Sequence, residues 1–244
     1  MSGVTLFISD LHLSAERPAI NELFLKFLRT EARGADALYI LGDLFEFWIG
    51  DEAAALDEYR PLIEGLRALA ESGVPVSVIP GNRDFLLGAG FERSSRCQVL
   101  PDPTRIELYG TPVLLMHGDS LCTRDVEYMA FRKMVRDPAW QRAVLAKPLA
   151  EREALARKYR EISMATTASK RPEIMDVTPE EVDNAMRAHG VRHFIHGHTH
   201  RPAEHVFTLD RAPVYRTVLG DWYDQGSVLR VTPTGQTLAR LPLP

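Results

Sequence analysis

Short apolar runs recur along the chain, and each is followed at once by Gly, Asp, Asn or His. The run 4–8 leads to Asp10, 37–41 to Gly42-Asp43, 76–79 to Pro80-Gly81-Asn82, 113–116 to His117, and 193–195 to His196. Continuous apolar runs of this length predict strands buried on both faces. Ile20, Leu23, Phe24, Phe27 and Leu28, and later Leu62, Leu66 and Leu69, recur at helical spacing between the first three runs. Strand–helix–strand alternation predicts an α/β layered core. After residue 202, Pro202, Pro213, Gly220, Gly226 and Gly235 punctuate short strands that read as a second sheet.

Residues 121–172 break this rhythm. Val126, Met129, Ala130 and Met134 mark one helix and Leu155, Tyr159 and Ile162 another, with Pro138, Pro148 and Pro172 as breaks. The segment carries 12 basic and 6 acidic side chains, a net of +6, whereas the remainder carries 17 and 27, a net of −10. A basic helical insertion in an acidic chain is either a solvated hairpin or a lid facing an anionic substrate or lipid surface.

With 244 residues, 45% apolar and 25% charged, the chain is long enough for a full core and is not of disordered or fibrous composition. A net charge of −4 argues against a nucleic-acid binder. Two cysteines, Cys97 and Cys122, are too few for a disulfide framework, so a reducing, cytosolic setting is expected. No secretory pattern opens the sequence, and no stretch nears the ~20 apolar residues that cross a bilayer. If this protein meets a membrane, it is expected to lie on it.

The residues that end the strands form a set: Asp10-Leu11-His12, Gly42-Asp43, Gly81-Asn82-Arg83-Asp84, His117-Gly118-Asp119 and His196-Gly197-His198-Thr199-His200. Each alone is an ordinary loop. Jointly they present Asp, Asn and His beyond the carboxyl ends of strands, where α/β sheets gather ligands. A dinuclear site needs a carboxylate able to bridge two cations, and Asp43 stands in that position. Imidazole and oxygen donors without thiolates suit Mn²⁺, Fe²⁺ or Zn²⁺ in a catalytic role. If these segments are extended, side chains i and i+2 share a side, which pairs Asp10 with His12 and His196 with His198. Asp119 is a candidate to orient His117 by accepting its other N–H.

This set resembles the calcineurin-like metallophosphoesterases, whose blocks D-x-H, G-D, G-N-H-D/E, H-G and G-H-x-H run in order over residues 10–200. The resemblance implies an α/β fold, a β-sandwich flanked by helices, with a core of 1–120 and 191–244 and a helical lid insertion of 121–190. It also implies two Mn²⁺ per chain (Fe²⁺ or Zn²⁺ as alternatives), one held by Asp10, His12, Asp43 and His198, the other by Asp43, Asn82, His117 and His196. His200 would then assist from behind the ligands.

One position departs from that pattern: Arg83 stands where a histidine is usual. Histidine can protonate a leaving alkoxide, whereas arginine stays charged and only stabilises phosphate. This points to a leaving group that needs no proton, which fits a phosphoanhydride; the alternative is that Arg83 only anchors phosphate or pairs with Asp84. Asn82 and Arg83 are the expected catalytic pair.

Gly-Asn-Arg-Asp is also the form in bacterial UDP-2,3-diacylglucosamine pyrophosphatases of lipid A biosynthesis. Ser9-Asp10-Leu11-His12-Leu13, Leu41-Gly42-Asp43-Leu44-Phe45-Glu46 and His196-Gly197-His198-Thr199-His200-Arg201-Pro202 are similar to that family too. This implies hydrolysis of UDP-2,3-diacylglucosamine to UMP and 2,3-diacylglucosamine 1-phosphate. The implied setting is peripheral, on the cytoplasmic face of the bacterial inner membrane, with an anionic lipid surface as partner and no nucleic acid or protein partner inferred. Substrate contacts would come from Asn82, Arg83, Asp125, Ser163, Thr167, Lys170 and His196. Thr167 departs from the asparagine associated with that place. Phe45, Phe47, Trp48 and Ile49 either pack into the core or wall an acyl-chain groove. The alternatives are a metallophosphoesterase acting on another phosphodiester or a soluble nucleoside diphosphate compound, and a metal-free scaffold.

Overall fold

β1 (Thr5–Ile8), β2 (Ala37–Leu41), β3 (Val76–Ile79) and β4 (Gln98–Val99) lie side by side and parallel. The computed structural model describes residues 3–171 and 173–243, without the side chains of 167–169. Alternation along these strands explains why their sequences are apolar throughout. Leu6, Ile8, Leu38, Ile40, Val76 and Val78 face one cluster, while Phe7, Leu41 and Ile79 face another. The first face is covered by α1 (Pro18–Arg29), α2 (Arg60–Glu71) and α3 (Ala89–Ser95). Pro18 opens α1, where the missing N–H costs nothing, and Ile20, Leu23, Phe24, Phe27 and Leu28 form its buried stripe. Each such side chain contributes about 1.5–3 kcal/mol by leaving water.

The other face packs on a second sheet. β5 (Thr104–Leu108) and β6 (Thr111–Met116) form an antiparallel pair, and β6 runs parallel to β7 (His193–His196). Between β6 and β7 the chain forms α4 (Val126–Val135), α5 (Pro138–Leu145), α6 (Leu149–Ser169) and α7 (Pro179–His189). Val113, Leu115 and Ile195 face the inter-sheet core, and Leu114, Met116 and Phe194 face α7 through Val182 and Met186. α7 thus belongs to the outer layer of the sandwich although it lies within 121–190. Pro138 begins α5 and Pro148 precedes α6, so the prolines divide the insertion into three helices, one more than the pattern marks.

The strands after residue 202 do not form a sheet of their own. β8 (Ala203–Leu209) and β9 (Ala212–Val218) complete the second sheet, in the order β5-β6-β7-β9-β8. β10 (Gly226–Thr232) and β11 (Gly235–Leu241) complete the first, in the order β11-β10-β1-β2-β3-β4. The reason lies in partners distant in sequence: β10 pairs antiparallel with β1, and β9 parallel with β7. Cys97 and Cys122 are free and buried, and burial pushes both thiols up to about 12. Among the described residues no helix is long and apolar enough to cross a membrane.

Candidate active site

The loops after β1, β2, β3, β6 and β7 meet at one end of the two sheets. Backbone bonds tie them: Asp10 N–H donates to Gly42 O (3.0 Å), His12 N–H to Asp43 O (2.9 Å) and Gly197 N–H to His117 O (2.9 Å). Asp84, wholly buried, accepts from the N–H groups of Gly81 (2.7 Å) and Leu44 (2.8 Å) and so fixes the Asn82 loop against the Asp43 loop. Gly42 has φ +88°, and a Cβ there would stand 2.3 Å from His117 Nδ1. Only glycine fits.

Asp10, His12, Asp43, His198 and His200 have left-handed φ values of 56°, 50°, 53°, 69° and 55°. These residues are not extended, so the expectation that i and i+2 share a side does not hold for them. Such strained backbone in non-glycine residues gathers at functional sites.

Asp43 stands between two histidines. Asp43 Oδ2 lies 3.8 Å from His12 Nε2, and Oδ1 lies 3.7 Å from His117 Nε2. Asp10, His12 and His200 offer donor atoms within 4.8 Å of one another, and so do Asp10, Asp43 and His117. His200 Nε2 is 3.4 Å from Asp10 Oδ1, while its Nδ1 is 3.2 Å from Asp221 Oδ2. Asn82 Oδ1 lies 2.9 Å from both His117 Nε2 and His198 Nδ1. His117 Nδ1 bonds Leu41 O (2.9 Å), which leaves Nε2 to face the cluster.

Here the last block needs correction. His196 ends β7, and alternation sends its ring to the outer face, stacked on Phe194 at 4.9 Å. It is fully buried, and its Nδ1 meets Gly197 O. The cluster's histidines from this block are His198 beside Asn82 and His200 beside Asp10, two residues further on than the expected pair. The G-H-x-H spacing, taken strictly from Gly197, picks the same two. Asp119 also differs from its expected role, since it accepts from Tyr128 Oη (2.6 Å) and Arg132 Nε (2.8 Å) rather than from His117.

The electrostatics suit cations. Burial raises the Asp10 pKa, but His200, His117 and His12 outweigh it and hold the carboxyl well below its usual range. Burial pushes His198 down to about 4, so its ring is neutral, the form that ligates metals. His12 Nδ1 has Glu46 Oε2 at 3.1 Å, but its Nε2 is buried without a hydrogen bond, which is costly unless another partner satisfies it. The donor set and this orphaned nitrogen fit divalent metal.

Beside the cluster opens a cavity of about 540 Å³. Its walls are Phe47, Trp48, Ile49, Phe85 and Leu86 from the core loops and Phe131, Trp140, Val144, Leu155 and Tyr159 from α4–α6. Asn82, Arg83, Asp125, Ser163 and Lys170 supply polar lining. Phe45 instead is core, packed between Trp48, Tyr59 and Phe91. Arg83 N–H donates to Asp43 Oδ1 (2.8 Å), and its Nε is buried without a partner. Lys170 Nζ meets Asp125 Oδ1 (2.6 Å) and Oδ2 (2.8 Å). The Thr167 side chain lies outside the described residues. Sequence reasoning missed Tyr128 and Arg160, which carry no motif, and gave no role to Glu46, which ends the block beginning at Leu41; their places are found through their contacts.

The chain matches the calcineurin-like phosphoesterase family over residues 4–202. It is 54% identical over 239 residues to a UDP-2,3-diacylglucosamine hydrolase from Pseudomonas aeruginosa, covering 98% of this chain and 99% of that one. A UDP-2,3-diacylglucosamine hydrolase from Xanthomonas campestris is 52% identical over 248 residues, with 98% and 99% covered. Among solved structures, a dimetal phosphatase from Danio rerio aligns with a TM-score of 0.48 and 12% identity over 98% of this chain and 99% of that one.

Proposed function

The chain belongs to the calcineurin-like phosphoesterase family, and we propose that it hydrolyses the pyrophosphate bond of UDP-2,3-diacylglucosamine, giving UMP and 2,3-diacylglucosamine 1-phosphate in lipid A biosynthesis. The observation that carries this reading is one junction. Arg83 stands where the donor cluster around Asp10 and Asp43 meets a large apolar cavity. A charged diphosphate and two acyl chains need those two environments side by side.

We read the cluster as a site for two divalent cations. Asp10, His12, Asp43 and His200 would hold one, and Asp43, Asn82, His117 and His198 the other. The mixed nitrogen and oxygen donors suit Mn²⁺, Fe²⁺ or Zn²⁺ alike, and Mn²⁺ is the ion that the family resemblance implies. Bound there, such cations supply Lewis acidity and lower the pKa of a water.

The chain's own residues do the rest. Arg83, permanently charged, takes up the negative charge that grows on the equatorial phosphoryl oxygens. We read the reaction as water attack on the α-phosphorus, with the lipid sugar phosphate leaving in line. That phosphate departs as an anion and needs no proton, which is why arginine can replace histidine here. Phe85, Phe131 and Trp140 line space for the acyl chains, and Asp125, Ser163 and Lys170, which line the same cavity, would contact the polar part of the substrate. Exposed Val126, Ile162 and Met164 on the insertion, with Lys158 and Arg171 exposed nearby in sequence, suit a peripheral seat on an anionic inner-membrane surface.

Purified protein assayed with Mn²⁺ on acylated and deacylated UDP-glucosamine tests this reading. Turnover confined to the acylated compound supports it. Equal rates on both would favour a soluble substrate, and metal analysis of a chain that takes up no cation would favour a scaffold.

A further inference from the structure

His12 is gripped from behind. Its Nδ1 lies 3.1 Å from Glu46 Oε2, on the side away from the Nε2 that faces Asp43. Tyr223 stacks on the same ring at 5.4 Å, nearly parallel, so the ring has little freedom to turn. Glu46 itself is firmly placed. Its N–H donates to Leu13 O (3.1 Å), within the short parallel bridge between Leu13 and Phe45. Its second oxygen, Oε1, takes Arg160 Nε at 2.6 Å. Arg160 comes from the middle of α6, and both side chains of this pair are largely buried.

One carboxylate therefore joins the insertion to a histidine of the metal cluster. A carboxylate on the far nitrogen of a ligating imidazole fixes its tautomer and makes the near nitrogen a better donor. Here that carboxylate has one oxygen on the imidazole and the other on a guanidinium carried by the insertion. We propose that Glu46 is a positioning residue for His12, and that Arg160 holds it in place, so that seating of α6 over the cavity stiffens the metal cluster. The inference rests on the metallohydrolase reading above. It assigns Arg160 an action through Glu46, distinct from any direct hold on substrate.

The test reads metal without substrate. Full-length protein loaded with Mn²⁺ is titrated with a chelator while free Mn²⁺ is followed by its paramagnetic resonance signal. Glu46→Gln, which keeps the shape but loses the charge, is expected to release Mn²⁺ at about 10–100-fold lower chelator. Arg160→Met, which cannot fix Glu46, is expected to weaken retention in the same direction by about tenfold or less. At saturating Mn²⁺ the kcat of Glu46→Gln recovers toward wild type with KM unchanged.

Wild-type retention in both variants overturns the proposal. A raised KM in Arg160→Met with wild-type retention overturns the link and makes Arg160 a substrate contact. Thermal unfolding at saturating Mn²⁺ checks that each variant is folded. Should Glu46→Gln not fold, Arg160→Met still decides. A wild-type chain that holds no Mn²⁺ would instead fail the metallohydrolase reading itself.

Discussion

Tyr128 donates its hydroxyl proton to Asp119 Oδ2 at 2.6 Å, which fastens the first helix of the insertion to the loop that carries His117. Arg132, one turn further along α4, donates to the same oxygen at 2.8 Å. Asp119 is wholly buried, so these two bonds offset its loss of water. Tyr128→Phe removes one of them and is expected to cost about 1–2 kcal/mol in urea unfolding. Asp119→Ala leaves Arg132 without its buried partner and is expected to cost about 3–5 kcal/mol.

Gly42→Ala places a Cβ against the His117 ring at a left-handed position. The clash and the backbone strain together are expected to cost about 2–4 kcal/mol. Because His117 must move to relieve it, bound Mn²⁺ should fall as well. Thermal unfolding and metal content of the purified variant measure both effects, and a variant matching wild type in both would show that His117 has room to spare.

Asp102 gives the fold a pH dependence. Burial pushes its carboxyl up to about 6, and both its oxygens lack a hydrogen-bond partner. The folded protein thus holds this proton more tightly than the unfolded chain does. Stability contributed by the protonated form is present at low pH and falls as pH rises from about 4 through about 6. Asp102→Asn escapes this loss. Its expected gain is at most about 3 kcal/mol at pH 8, shrinking to about half of that at pH 5, read from urea midpoints at the two pH values.

The two histidines of the last block separate by function. His200→Ala is expected to lower bound Mn²⁺ toward one ion per chain and to cut turnover by about 10²-fold or more. His196→Ala opens a small void beside Phe194 and is expected to cost stability while keeping the metals. Metal content and turnover of the two variants, compared side by side, check the assignment. Metal loss in His196→Ala with retention in His200→Ala would reverse it.

The strand ends were legible in the sequence because strands buried on both faces read as unbroken apolar runs, and their ligands follow at once. Asp10, Asp43 and His117 stand in the cluster for that reason. The choice among His196, His198 and His200 was not legible from alternation, which ends where the strand ends and the backbone turns left-handed. Nor was the division of the last strands, since β10 finds its partner β1 across more than 200 residues. α7 was not resolved from the insertion because its stripe, Val182 and Met186, is short, although Pro179 and the left-handed Gly190 mark its ends. The pairing of Glu46 with Arg160 was not legible, although Glu46 ends a recognised block, because an ion pair between a loop and a helix leaves no period in the sequence.

Arg83→Ala should keep both cations, since only its backbone N–H touches Asp43. Loss of its charge at the phosphoryl oxygens is expected to lower kcat by about 10²–10³-fold. Metal analysis beside steady-state kinetics checks this, and near wild-type turnover would remove Arg83 from the reaction.

Hydrolysis of UDP-2,3-diacylglucosamine in ¹⁸O water, with both products weighed by mass spectrometry, goes furthest in deciding how this site works. Attack beside Arg83 on the α-phosphorus puts the heavy oxygen in UMP and leaves 2,3-diacylglucosamine 1-phosphate unlabelled. Heavy oxygen in the sugar phosphate, or no cleavage of the diphosphate, would contradict it.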